Sequence, residues 1–308
     1  MLPRLKPHVA IAQLDDENVL VRGAGVFLRY SGEAVPVLLA MAPLLDGTRD
    51  AARLAKETGL PEADVRDVVQ GLVEDRLVED AAADEAPTTP GGDPQTRAWS
   101  ILTHRPHAAQ RRAASARMLV LGSGEVADHA RRALEALGVA RVSTVGEADT
   151  QDHVVVCTDE PDARGFAEAN ERALAAGVPA TYAFLDGAEA TIGPTVIPRE
   201  SACWRCYDLR ALGAHPNPER WMMARAIARP PVARFATWPM LVGGQVAQAA
   251  LVAVAGAGVP PLAGHVSRVD LLTLQARRHR VLRIPRCPAC SGADVPDVDR
   301  YAPEGLEP

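Results

Sequence analysis

Met118-Leu119-Val120-Leu121-Gly122-Ser123-Gly124-Glu125-Val126-Ala127 is the stretch whose reading decides the fold. A short apolar run meets two glycines and passes into a helical pattern that reaches Leu137 and ends at Gly138. This is a G-x-G-x-x-A fingerprint in a strand-turn-helix setting. Working outward, Arg141 to Val145 reads as the next strand and His153 to Cys157 as the one after. A helix from Asp162 to Ala176 then leads through Gly177 to a strand over Val178 to Phe184. Such alternation predicts a doubly wound, mainly parallel α/β sheet. Dinucleotide enzymes use a turn of this kind to bring pyrophosphate onto a helix N-terminus, and Glu147 stands where a ribose-binding acid would. Glu125 and Asp128, however, put two carboxylates into the first helical turn, which suits the helix dipole and opposes a phosphate. A nucleotide site and a fold element without one both remain open.

Upstream, residues 1–80 read as a separate module. Extended segments over Val9–Leu14, Val19–Arg22 and Val26–Tyr30 are followed by helical periodicity. Ser31 reads as the N-cap of a helix reaching Met41, and Thr48 as that of one ending near Thr58. Gly59 breaks the chain and Pro61 starts a third helix, whose apolar face carries Val65, Val68, Val69, Leu72 and Val73. Three strands and three helices in this order predict a winged helix-turn-helix. Residues 81–97, rich in Ala, Pro, Gly, Thr and acids, read as a linker. The second domain then spans 98–308.

The charge balance limits what the front module does. DNA recognition needs a basic helix. Between Pro61 and Asp75 lie Glu62, Asp64, Asp67, Glu74 and Asp75 against Arg66 alone, and 1–80 holds 14 acids and 9 bases. The whole chain has 39 acids against 33 bases, for a net charge of −6, which disfavours nucleic-acid and anionic-membrane partners. An edge strand beside a helix instead suits an extended peptide, added by β-augmentation. The alternative is a packing or dimerisation module. The start, Met1 to Pro7, shows no secretion signal, and the uncharged stretch Pro239 to Gly264 is too interrupted by Gly, Gln and Pro for a span. These features predict a cytoplasmic protein with a buried Ala-rich helix after Pro239.

In that compartment five cysteines are not expected to form structural disulfides. Cys203-Trp204-Arg205-Cys206 and Cys287-Pro288-Ala289-Cys290 are two Cys-x-x-Cys pairs separated by 80 residues. Four thiolates so arranged match one tetrahedral Zn²⁺, and a closed S₄ shell leaves no coordination position for substrate. The zinc would be structural. Redox dithiols or unligated core cysteines are the other readings. Cys157, inside an apolar strand, reads as a small core residue.

The opening at Leu121-Gly122-Ser123-Gly124, the later Val154-Val155-Val156-Cys157-Thr158-Asp159 and the two cysteine pairs together resemble the E1-like (ThiF/MoeB) superfamily. With a winged helix ahead, Cys203 to Arg210 and Pro285 to Cys290 resemble a narrower group over nearly the whole chain. These are the E1-like partner proteins of azole-forming YcaO cyclodehydratases, which make thiazole/oxazole-modified peptides and thiopeptides. The resemblance implies that the winged helix binds the leader of a ribosomally made precursor peptide, while the body docks the YcaO enzyme that spends ATP. The peptide would lie beside Val26, Phe27, Leu28, Arg29 and Tyr30, against the helix carrying Val65, Val69 and Leu72. Gly122, Gly124, Asp159 and Arg164 match positions that hold Mg·ATP in active members, so they imply a relic ATP site. The lysine and arginine that active members place after the second strand have no counterpart, and no lysine follows Lys56. A silent scaffold is therefore expected, with no catalytic residue of its own. An active adenylating enzyme, a zinc-containing transcription factor and an NAD enzyme are its rivals. Relatives of this kind commonly dimerise, so a homodimer is implied as well.

Overall fold

A computed structural model describes residues 1–23, 25–84, 93–226 and 233–291. Its contacts divide the chain into Met1–Arg112 and Ala113–Pro308, grouping 98–112 with the front module although the sequence reading starts the second domain at 98.

The first unit contains β1 (Pro3–Leu5), β2 (Ala10–Asp15), β3 (Asn18–Gly23) and β4 (Val26–Ser31), then α1 (Ala34–Met41), α2 (Ala51–Thr58), α3 (Glu62–Glu74) and β5 (Val78–Asp80). It ends with α4 (Pro94–Leu102) and α5 (Pro106–Ser115), the unit boundary falling within the latter. β2, β3 and β4 form an antiparallel sheet in that order, and among the described residues no strand pairs with the other edge of β4. β1 pairs with β5, tying the start of the module to the end of its helices. Val19, Val21, Leu38, Met41, Leu54, Val65 and Leu72 fill the core.

The caps differ from the sequence reading in two places. Asp50, not Thr48, caps α2 by accepting from the Arg53 N–H at 2.9 Å. The Asp46 carboxylate accepts from both the backbone N–H and the hydroxyl of Thr48, so that hydroxyl is already committed. Glu33, not Ser31, precedes α1, with no side-chain capping bond. The middle of the expected linker, 85–92, lies outside the described residues, but its ends are ordered into caps. Asp93 accepts from Gln95 and Thr96 and is followed by Pro94 at the first helical position of α4. The buried Asp84 accepts from the backbone N–H groups of His107 and Ala108 in α5.

The second unit begins with β6 (Arg117–Leu121), α6 (Glu125–Ala136), β7 (Arg141–Ser143), β8 (His153–Thr158), α7 (Ala163–Ala176) and β9 (Ala180–Asp186). It continues through β10 (Glu189–Val196), α8 (Trp204–Ala214), α9 (Pro218–Ala226), α10 (Thr237–Ala255), β11 (His265–Asp270) and β12 (Gln275–Arg280). One seven-stranded sheet has the order β12-β11-β10-β9-β8-β6-β7. The strands from β7 to β9 pair in parallel, as the alternation predicts. The strands from β10 to β12 extend the sheet in antiparallel fashion and were not foreseen.

α10 is long and apolar enough to cross a membrane by length and composition, yet 61% of its most apolar window is buried inside the protein. It packs on α6 and along β8, β9 and β10. At Gly243 an added Cβ would lie 2.6 Å from the Cβ of His129, which is why this helix crossing needs a glycine. Ala180, Tyr182 and Phe184, alternate residues of β9, join Phe166 of α7 and Trp204 of α8 in an aromatic core beside three of the cysteines. Trp204 lies 5.0 Å from Tyr182 and 4.7 Å from Phe166, centroid to centroid.

Candidate functional site

The glycine turn is closed by the protein itself. Asp159, one residue past β8, accepts from the backbone N–H of Glu125 at 2.9 Å and of Val126 at 2.8 Å. These are first-turn donors of α6, the groups that would otherwise meet a phosphate. Gly124 has φ +93°, and a Cβ there would sit 2.3 Å from Asp159 Oδ2. Gly122 has φ +116°, and its Cβ would lie 1.9 Å from the Cys157 carbonyl oxygen. Both glycines are thus required by the close passage of β8, independently of any ligand.

Arg234 completes the arrangement, its guanidinium lying 2.9 Å from Asp159 Oδ2 and 3.1 Å from Glu125 Oε2. The lysine and arginine missing after the second strand do not leave the turn without a cation. The cation arrives from a position 75 residues after Asp159, too remote for any local motif to reveal, and two carboxylates compensate it. Arg164 does not join them: it is 86% exposed and pairs with Glu168 one helical turn away. Cys157 is fully buried, and burial, followed by the charge of Asp159, pushes its thiol up to about 12, which makes it an inert core residue.

Beyond the carboxyl ends of β8 and β9 opens a cavity of 1080 Å³. Asp159, Glu160 and Asp162 lie on one part of its wall, while Arg210, Arg268 and Arg280 lie on another. Open α/β sheets place ligands at this end of their strands. Sequence patterning gave no sign of these three arginines, because they reach the cavity from α8 and the antiparallel strands.

Cys203, Cys206, Cys287 and Cys290 converge, with all four sulfurs within 4.8 Å of one another. The spacings are 3.8 Å for Cys203–Cys206, 3.6 Å for Cys203–Cys287 and 3.7 Å for Cys206–Cys290. A disulfide needs a separation of about 2.05 Å. A tetrahedron with Zn–S bonds of about 2.3 Å has edges of about 3.8 Å, so the donor set fits zinc. Four thiolates this close repel one another, so ionising all of them would call for a cation at their centre. The Ile284 N–H points at Cys206 Sγ from 3.4 Å, a bond that orients that ligand.

In the first unit, Leu28 and Tyr30 of β4 face the core, while Phe27 and Arg29 face outward. Phe27 is 66% exposed beneath the Arg22 guanidinium, and Arg29 donates to Asn18. The side chain of Val26 lies outside the described residues. The Tyr30 hydroxyl donates to Asp75, just past α3, and its acidity is suppressed by burial and by that carboxylate. Val65, Val69 and Leu72 were expected to meet a guest directly, but they are already packed against Val19, Val21 and Leu38. Their side chains belong to the module's own core. The flank of α3 that shares Asp75's side carries Asp64, Val68 and Gly71. An added Cβ at Gly71 would meet nothing within 4 Å, so this flank borders open space.

No protein-family model matches the sequence, and no curated protein does so significantly. Solved structures do share the fold. A heterocyclase in complex with substrate and cofactor gives a TM-score of 0.69 at 18% identity over 94% of this chain and 39% of its own. The heterocyclase TruD gives 0.64 at 22% identity over 94% and 42% respectively. The chain therefore spans about two fifths of the length of these heterocyclases. Escherichia coli MccB bound to succinimide gives 0.73 at 14% identity over 95% of this chain and all of its own. At such identities the likeness establishes the fold alone, a mixed α/β body.

Proposed function

We propose that this protein is the leader-binding, E1-like partner of a YcaO cyclodehydratase that forms thiazoline and oxazoline rings in a ribosomally made peptide. The single observation that carries this reading is the closed glycine turn. The donors needed by a triphosphate already hold Asp159, and the nearby cation is matched by two acids. A body of this fold, with its phosphate cradle filled from within, suits a scaffold better than a nucleotide-consuming enzyme. The fold likeness to heterocyclases supports the same role, and ATP chemistry would belong to the YcaO partner. Zinc held by Cys203, Cys206, Cys287 and Cys290 would supply rigidity and take no part in the reaction.

The front module, read as a winged helix, would receive the leader as a strand on the open edge of β4. Apolar leader residues would rest on Leu28, Tyr30 and Val68, between Asp64 and Asp75. Those acids lie about 16 Å apart along the helix, the length of about five residues of strand. Titrating a labelled precursor leader into the full chain tests this. Val68→Glu is expected to weaken binding at least about tenfold while changing stability by less than about 1 kcal/mol. Failure of the native chain to bind the leader would refute the role.

A second reading, an adenylating enzyme acting on a peptide or carrier-protein C-terminus, is favoured by Arg234 and by the fold match over the whole of MccB. It requires ATP–pyrophosphate exchange that collapses in Asp159→Ala.

A further inference from the structure

At the outer edge of the seven-stranded sheet, β12 reads Gln275-Ala276-Arg277-Arg278-His279-Arg280, and every one of its residues is exposed. Among the described residues no strand pairs with its free side, which leaves a row of backbone N–H and C=O groups open there. Alternation puts Arg277 and His279 on one face, with Arg278 and Arg280 on the other. The side chains of Arg277, His279 and Arg280 have no hydrogen-bond or ion-pair partner among the described residues, while Arg278 donates to the Pro261 carbonyl oxygen. In register, Arg268 of β11 stands directly opposite Arg277. Arg268 is itself engaged by the Glu189 carboxylate of β10, so Arg277 is the uncompensated member of the pair. The turn that leads into β12 also presents Leu272 and Leu274, each 67% exposed.

We propose that β12 is a docking edge for an extended, acidic polypeptide segment that adds as an eighth strand. A free ladder edge recognises a peptide backbone. Cations on both of its faces call for carboxylates on both faces of the incoming strand, which would supply partners for Arg277 and Arg280. Leu272 and Leu274 would cover an apolar residue at one end of the guest. A second copy of this chain is a poor occupant, because pairing β12 with itself would oppose cations to cations. Nucleic acid is disfavoured by the net charge of −6 and makes no use of an open ladder. This surface belongs to the second unit and is argued independently of the leader-binding role.

The probe is a fluorescein-labelled peptide of about ten residues alternating Glu and Val, titrated into the full chain by fluorescence anisotropy. Saturable binding is expected, at least about tenfold weaker for the double variant Arg277→Glu, Arg280→Glu. N-methylation of alternate peptide amides should abolish it, because the guest then loses its ladder donors. The exposure of β12 means that the variant should fold normally, which circular dichroism checks. Absence of saturable binding would overturn the proposal. So would equal binding of a Lys-for-Glu peptide, indifference to N-methylation or to the double substitution, tighter binding of an RNA oligonucleotide, or a native dimer that the substitutions dissociate.

Discussion

The turn at Gly122–Val126 and the cluster at Cys203–Cys290 are both sequence patterns associated with a ligand, and the structure treats them oppositely. At the turn the N–H groups of Glu125 and Val126 already have an acceptor in Asp159, and Arg234 neutralises that acceptor. At the cluster four sulfurs stand at tetrahedral spacing around a common centre, with the Ile284 N–H as a further contact on Cys206. The first motif is satisfied from within the chain, whereas the second presents four donors that a metal ion could occupy. A binding motif is best judged by asking whether its donors and acceptors are already engaged.

Removing the metal should separate the two regions most sharply. Cys203→Ser, or treatment with a strong chelator, is expected to cost the second unit more than about 4 kcal/mol, since structural zinc supplies folding energy outright. Thermal denaturation and zinc content by atomic absorption would show it. Equal stability in a zinc-free preparation would break the contrast.

Next in size is Gly124→Ala. Its methyl group would collide with the Asp159 carboxylate at a positive φ, for a loss of about 2–4 kcal/mol, whereas Asp159→Ala should cost about 1–3 kcal/mol through its two backbone bonds. If Gly124→Ala regains its stability in the Asp159→Ala background, the clash is confirmed as the cause; simple additivity would deny it.

The same accounting extends to His153, wholly buried at the start of β8. One ring nitrogen meets the Thr181 hydroxyl at 2.9 Å and the other has no partner. Burial lowers its pKa to about 3, against 6.5 ordinarily. Between these values the unfolded chain binds the extra proton, so this contribution is intact above about pH 6.5 and is lost as pH falls. The loss is about 1.4 kcal/mol per unit, or about 2 kcal/mol at pH 5. Urea unfolding from pH 7 to 5 should show a shallower decline for His153→Val than for the native chain. Parallel profiles would exclude His153 as the cause.

Much of this architecture was legible in the residues. The parallel strands β6, β8 and β9 announce themselves as apolar runs, and two Cys-x-x-Cys pairs define their own site. What stayed hidden depends on distance or lacks periodicity. β12, written Gln-Ala-Arg-Arg-His-Arg, has no alternation of apolar side chains, so nothing marked it as a strand. β1 and β5 are three residues each and are held by pairing between the module's two ends. Arg234 reaches Asp159 only through tertiary structure. Val65, Val69 and Leu72 were read correctly as an apolar helix face, but periodicity alone does not distinguish a face already packed from one awaiting a guest.

Isothermal titration of Mg·ATP into the purified full-length chain, beside Asp159→Ala, tests the closed turn most directly. The account predicts no saturable heat with the native protein at millimolar nucleotide, and weak binding appearing once Asp159 is removed and the two amides are released. Tight binding by the native chain that disappears in Asp159→Ala would contradict it, because that carboxylate would then be serving the nucleotide and not replacing it.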